Sequence, residues 1–173
     1  MKIIAAACLA LAILCAPPVP AAPADDIADA LARASSGPIT ADSLPEDFAR
    51  LARFVRHDAN GMILFTDGGP TDGYVRHAQA HFDLTPLARK GVDKIPLFAV
   101  EFELADQPDF TFEGLSAALE RRFGNPSASS DQPEAVFRTW LLKEPAGRTV
   151  TLARAHASDN GDPTIIFYLI QNR

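Results

Sequence analysis

Residues 74–84, Tyr-Val-Arg-His-Ala-Gln-Ala-His-Phe-Asp-Leu, decide the fold class. Tyr74, Ala78, Ala80, Phe82 and Leu84 fall on one side of an extended chain, interrupted only by Arg76. Val75, His77, Gln79, His81 and Asp83 fall on the other. Successive side chains of a strand point to opposite faces, so period two with one polar side marks a strand packed on one face only, as in antiparallel sheets. Residues 97–104 repeat the pattern, with Phe98, Val100, Phe102 and Leu104 opposed to Leu97, Ala99, Glu101 and Glu103.

The flanking segments extend this reading. Residues 62–66 form a short apolar strand, and residues 67–73 and 85–95 are loops. Upstream, Ser43-Leu44-Pro45-Glu46 has the form of a capping box with proline in the first turn. Leu44, Phe48, Leu51, Ala52 and Val55 then make one helical stripe, Arg53, Arg56 and His57 crowd a last turn, and Asn60-Gly61 closes it. The pattern predicts a helix over 44–57. Asp25 and Asp26 followed by Ile27, Ala30, Leu31 and Ala34 predict a short N-terminal helix or arm within 25–42.

Downstream, Thr111 precedes a second amphipathic helix bearing Phe112, Leu115, Ala118, Leu119 and Phe123, stopped by Gly124-Asn125-Pro126. Residues 127–133 are a polar loop. Strands are expected at 134–142, 148–156 and 164–170, joined by turns at 143–147 and 157–163. The run Ile165-Ile166-Phe167-Tyr168-Leu169-Ile170 is apolar on both faces and belongs in the centre of the sheet. Trp140 and most phenylalanines are core residues. The expected fold is α+β, a mainly antiparallel sheet with two amphipathic helices on one face. Its order is α-β-β-β-α-β-β-β in one domain over 43–173, preceded by the short N-terminal helix.

The chain has 173 residues, 47% of them hydrophobic and 22% charged, with a net charge of −6. That composition excludes an intrinsically disordered chain, and the acidic balance argues against nucleic acid as a partner. Lys2 followed by an unbroken apolar run over 3–16, Pro17-Pro18 and the small residues around Ala22-Pro23-Ala24 has the layout of a secretory signal peptide over 1–24, cleaved before Asp25. The apolar run spans about 21 Å as a helix, short of a hydrocarbon core of about 30 Å. Leu14 is too bulky a neighbour for Cys15 to be a lipid-acceptor site. Cys8 and Cys15 are the chain's two cysteines, so the processed product has no thiol chemistry. These features, with the arginine- and alanine-rich, lysine-poor usage of GC-rich bacterial coding, predict a periplasmic or secreted bacterial protein.

The most suggestive constellation is His77-x-Gln79-x-His81. On a strand the two histidines lie about 13 Å apart, too far to share a metal whose ligands sit about 2 Å from it. Glu101 and Glu103, about 7 Å apart as i and i+2 on a strand, have a spacing that any strand produces. The acidic turns at Asp67/Asp72 and Asp159-Asn160-Gly161-Asp162 lack the calcium-loop pattern. No nucleophile–base pair and no phosphate-cradling loop stands out, so no catalytic residue, metal or cofactor is assigned. A polar sheet face bearing His77, Gln79, His81, Glu101 and Glu103 is a docking surface. The expectation is therefore a non-catalytic binding protein of inhibitor, immunity or accessory type, its partner another exported or envelope protein. The alternatives are a carrier holding a small apolar ligand near Phe98, Phe102 and Phe167, and a small periplasmic hydrolase using His77 or His81 with a carboxylate.

Overall fold

A computed structural model describes residues 23–40, 46–59, 62–70, 74–83, 98–155 and 164–171. In chain order it contains α1 (Pro23–Ser36), α2 (Glu46–Leu51), β1 (Ala52–Ala59), β2 (Met62–Pro70), β3 (Val75–Asp83), β4 (Phe98–Ala105), α3 (Phe112–Phe123), β5 (Ala128–Gln132), β6 (Ala135–Leu141), β7 (Arg148–Ala155) and β8 (Thr164–Gln171). The strands form one eight-stranded antiparallel sheet in the order β1-β2-β3-β4-β8-β7-β6-β5. The protein is thus α+β. Two four-stranded meanders meet through their last strands, β4 and β8, which places the doubly apolar 165–170 segment at the centre.

The element order departs from the sequence expectation at three points. The helix expected over 44–57 ends at Leu51, and residues 52–59 are the edge strand β1, paired with β2 from Ala52↔Pro70 to Ala59↔Met62. The helical stripe was real as far as Phe48, Leu51 and Ala52, which are buried, but Val55 is 49% exposed. Backbone pairing along β2 outweighs the helical periodicity here, and Asn60-Gly61, expected to close the helix, lies outside the described residues. Residues 67–70, the first four of the loop expected over 67–73, belong to β2, which runs to Pro70, and residues 71–73 lie outside the described residues. The polar loop expected over 127–133 contains β5, which pairs with β6 from Ala128↔Thr139 to Gln132↔Ala135. An edge strand with almost no buried face has no hydrophobic period to betray it; β5 is held by its backbone pairing with β6 and by Arg138, which donates to the Ser130 carbonyl at 3.0 Å and to Asp131 Oδ1 at 2.6 Å.

Alternate residues of the central strands are buried: Ala78, Ala80 and Phe82 in β3, Phe98, Val100, Phe102 and Leu104 in β4, Ile165, Phe167 and Leu169 in β8. They form one core with Ile27, Leu31 and Ala34 of α1, Phe48 of α2, and Phe112, Leu115 and Leu119 of α3. Val75, expected on the polar side of its strand, is also in the core. A register shift between Val75 and His77 against β4 is the cause, since a bulge moves one extra residue through the pleat and leaves Arg76 outside. Trp140 is buried, its ring on Phe123 and its Nε1 donating to the Gly124 carbonyl at 2.9 Å.

Helix α3 is capped as its sequence requires. The Thr111 hydroxyl accepts from the Gly114 N–H at 3.1 Å, and Gly124, at φ 81°, donates back to the Glu120 carbonyl. Its last turn grips α1: Arg121 and Arg122 both reach the Asp25 carboxylate, and Arg122 also bonds Asp29, the Asp25 carbonyl and the Ala118 carbonyl. Hydrogen bonds from Arg121 to Asp25 and from Arg122 to Asp29 hold both carboxyls below their ordinary value of 3.8. The stability they lend is therefore present above that pH and lost as pH falls through the lowered values. Arg122→Met is expected to lower the melting temperature at pH 7 and to reduce its further fall between pH 5 and pH 2, measured by thermal denaturation across pH. No helix among the described residues is long and apolar enough to cross a membrane.

Candidate docking face

The face opposite the core is built by register. His77 pairs with Glu103, Gln79 with Glu101 and His81 with Ala99 between β3 and β4. Strand β8 continues these rows with Ile166, Tyr168 and Ile170, and β7 with Ala153, Thr151 and Thr149. Strand β6 completes them with Phe137, Thr139 and Leu141. Each row runs across the strands on one side of the pleat, because cross-strand partners share a face. The structure therefore brings His77, Gln79, His81, Glu101 and Glu103 together on one surface, every one of them half-buried.

That surface has two characters. Its β3–β4 half carries imidazole, amide and carboxylate groups, tied by the Gln79 Nε2 donating to Glu101 Oε2 at 3.2 Å. Its β8–β6 half is aliphatic and hydroxylic: Ile166, Ile170, half-buried Phe137, Leu141 at 63% exposure, and the Thr139–Thr151 hydroxyl pair at 3.0 Å. Between the halves lies a depression of about 300 Å³ lined by Gln79, His81, Ala99, Glu101, Tyr168 and Ile170. Burial, and then the carboxylates of Glu101 and Glu103, push the Tyr168 hydroxyl pKa upward, so it stays an O–H donor at neutral pH.

Sequence reasoning missed the contribution of β8. Tyr168 is the one hydroxyl in the apolar run 165–170, and its place beside Glu101 depends on β4 pairing with β8, a contact 67 positions apart that periodicity cannot specify. The two histidines lie four residues apart on one strand, His77 facing Glu103 and His81 facing Ala99, so they do not converge on one point. Among the described residues no group of three His, Cys, Asp or Glu side chains could hold a metal ion. The acidic turn at 159–162, Asp72 and His156 lie outside the described residues.

A second concavity, of about 520 Å³, lies between α1, α2 and Tyr74 and is lined by Ile27, Ala30, Arg33, Arg50 and Leu51. Its charges serve helix packing, for Arg33 Nε donates to Asp47 Oδ1 at 3.1 Å and Arg50 lies 4.0 Å from the same carboxylate. The chain matches no protein-family model, no curated protein and no solved structure.

Proposed function

We propose that this chain is an exported bacterial binding protein of inhibitor, immunity or accessory type, which docks another protein through the face built by β3, β4, β8, β7 and β6. The observation that carries the reading is the mixed character of that face. The half-buried Ile166, Tyr168 and Ile170 adjoin Glu103, Glu101 and Ala99, exposed Leu141 extends the apolar surface two strands further on, and the other face of the same strands is packed into the core. Apolar surface beside specific polar groups is the composition of a recognition patch. Export rests on the leader-like residues 1–24, which would direct the product to the periplasm or the medium.

The carrier alternative is less well supported. Phe102 meets Phe167 in a tilted pair with ring centroids 6.4 Å apart, Phe98 meets Phe82 likewise at 5.8 Å, and the Arg148 guanidinium lies over Phe98 at 5.1 Å. These contacts favour a filled core over an apolar hollow. Affinity capture with the tagged chain from periplasmic and secreted fractions of its source is expected to retain one stoichiometric partner. The triple variant His77→Ala, His81→Ala, Glu101→Ala is expected to lose it at unchanged melting temperature. A partner retained equally by both proteins would remove the proposal.

A further inference from the structure

The depression on the open face has a defined chemistry. Ala99 lies between His81 of β3 and Ile170 of β8, and its small side chain leaves the hollow that these larger neighbours border. The floor is therefore aliphatic. At the rim stand Glu101 and its cross-strand partner Tyr168, and the Glu101 carboxylate is already oriented by the bond from Gln79. An aliphatic slot ending in a carboxylate and a phenol matches a side chain with a methylene stem and a cationic head.

The charge on this surface points the same way. The three register rows from β3 to β6 contain Glu101 and Glu103 and no lysine or arginine. Arg76, at one end of the face, reaches the Thr164 hydroxyl at 3.4 Å. The net charge of −6 adds longer-range attraction for a basic partner. Resting on the docking reading above, we infer that the depression receives one lysine or arginine side chain of a protein partner. The methylenes lie against Ala99 and Ile170, and the cationic head meets the Glu101 carboxylate.

The test uses the isotope-labelled intact chain and two probes, Nα-acetyl-lysine methylamide and Nα-acetyl-norleucine methylamide, which share an aliphatic stem and differ in the ammonium group. The lysine probe is expected to shift the amide resonances of Ala99, Glu101, Tyr168 and Ile170, and the norleucine probe to bind at least about tenfold more weakly. Glu101→Gln, which keeps the volume and the capacity to bond Gln79, is expected to weaken lysine binding by about the same factor. Ala99→Leu fills the slot and abolishes the response, while the remaining spectrum reports an intact sheet. Equal binding of both probes, full lysine binding by Glu101→Gln, or no shift at these four residues overturns the inference. Failure here is separable from failure of the docking reading. A captured partner lost by the triple variant but held at full strength by Glu101→Gln and Ala99→Leu removes the cationic anchor and keeps the face.

Discussion

Replacing Phe102 with alanine is expected to destabilise the protein by about 4 kcal/mol and to lower its melting temperature by about 12 °C. Phe102 lies in β4, one of the two strands at the middle of the sheet, and is fully buried. Its ring meets Phe48 of α2 at 5.3 Å, the edge of Phe54 in β1 at 6.0 Å and Phe167 of β8 at 6.4 Å. It thus joins a helix to three strands from both meanders and the sheet edge. Truncation removes the transfer free energy of the ring and leaves a cavity whose walls are held by backbone pairing on both sides, so little collapse can relieve it. Leu141→Ala on the open face of β6 is the comparison, with an expected change within about 0.5 kcal/mol. Equilibrium denaturation measures both. A Phe102→Ala cost below about 1 kcal/mol would contradict the packing described.

The second large effect is expected at Arg148, which is 5% exposed although cationic. Burial lowers its pKa, yet the group is engaged throughout: Nη1 donates to the carbonyls of Ser35, at 2.7 Å, and Gly37, and Nε donates to Gln171 Oε1 at 3.1 Å. The two carbonyls close the C-terminal end of α1, where the helix dipole is negative and unpaired carbonyls need donors. Desolvating a guanidinium costs energy, so a neutral replacement recovers part of that cost. The carbonyls remain in place without donors, however, and the loss of charge-assisted bonds to them dominates. Arg148→Met is expected to cost about 3 kcal/mol, lowering the melting temperature by about 9 °C. Hydrogen exchange should accelerate first at Gly37, whose N–H bonds the Arg33 carbonyl at the end of α1. An unchanged or raised melting temperature would show that desolvation outweighs the clamp.

The sequence made the strands of the centre legible and those of the edges obscure. β3, β4 and β7 carry one buried and one half-exposed face, so their alternation is written in side chains. β5, Ala-Ser-Ser-Asp-Gln, is exposed at four of its five positions and carries no such record. β1 misled for a different reason. Phe48, Leu51, Ala52 and Val55 fit a helix, but the chain turns extended at Ala52, and Phe54 rather than Val55 packs against the core. The polar half of the candidate face was readable because it lies within two alternating strands. The apolar half was not, since Ile166, Tyr168 and Ile170 come beside Glu103, Glu101 and Ala99 only through the pairing of β4 with β8.

The central claim, that the open face of the sheet is the docking surface, is tested most directly by hydroxyl-radical labelling of the intact chain alone and in complex with its captured partner. The two tyrosines report the two sides of the molecule: Tyr168 lines the depression on the open face and Tyr74 lines the groove beside α1 and α2. Labelling of Tyr168, His81 and Ile170 is expected to fall severalfold in the complex while labelling of Tyr74 stays constant. Protection of Tyr74 with Tyr168 and His81 unchanged would place the partner on the helices and contradict the account.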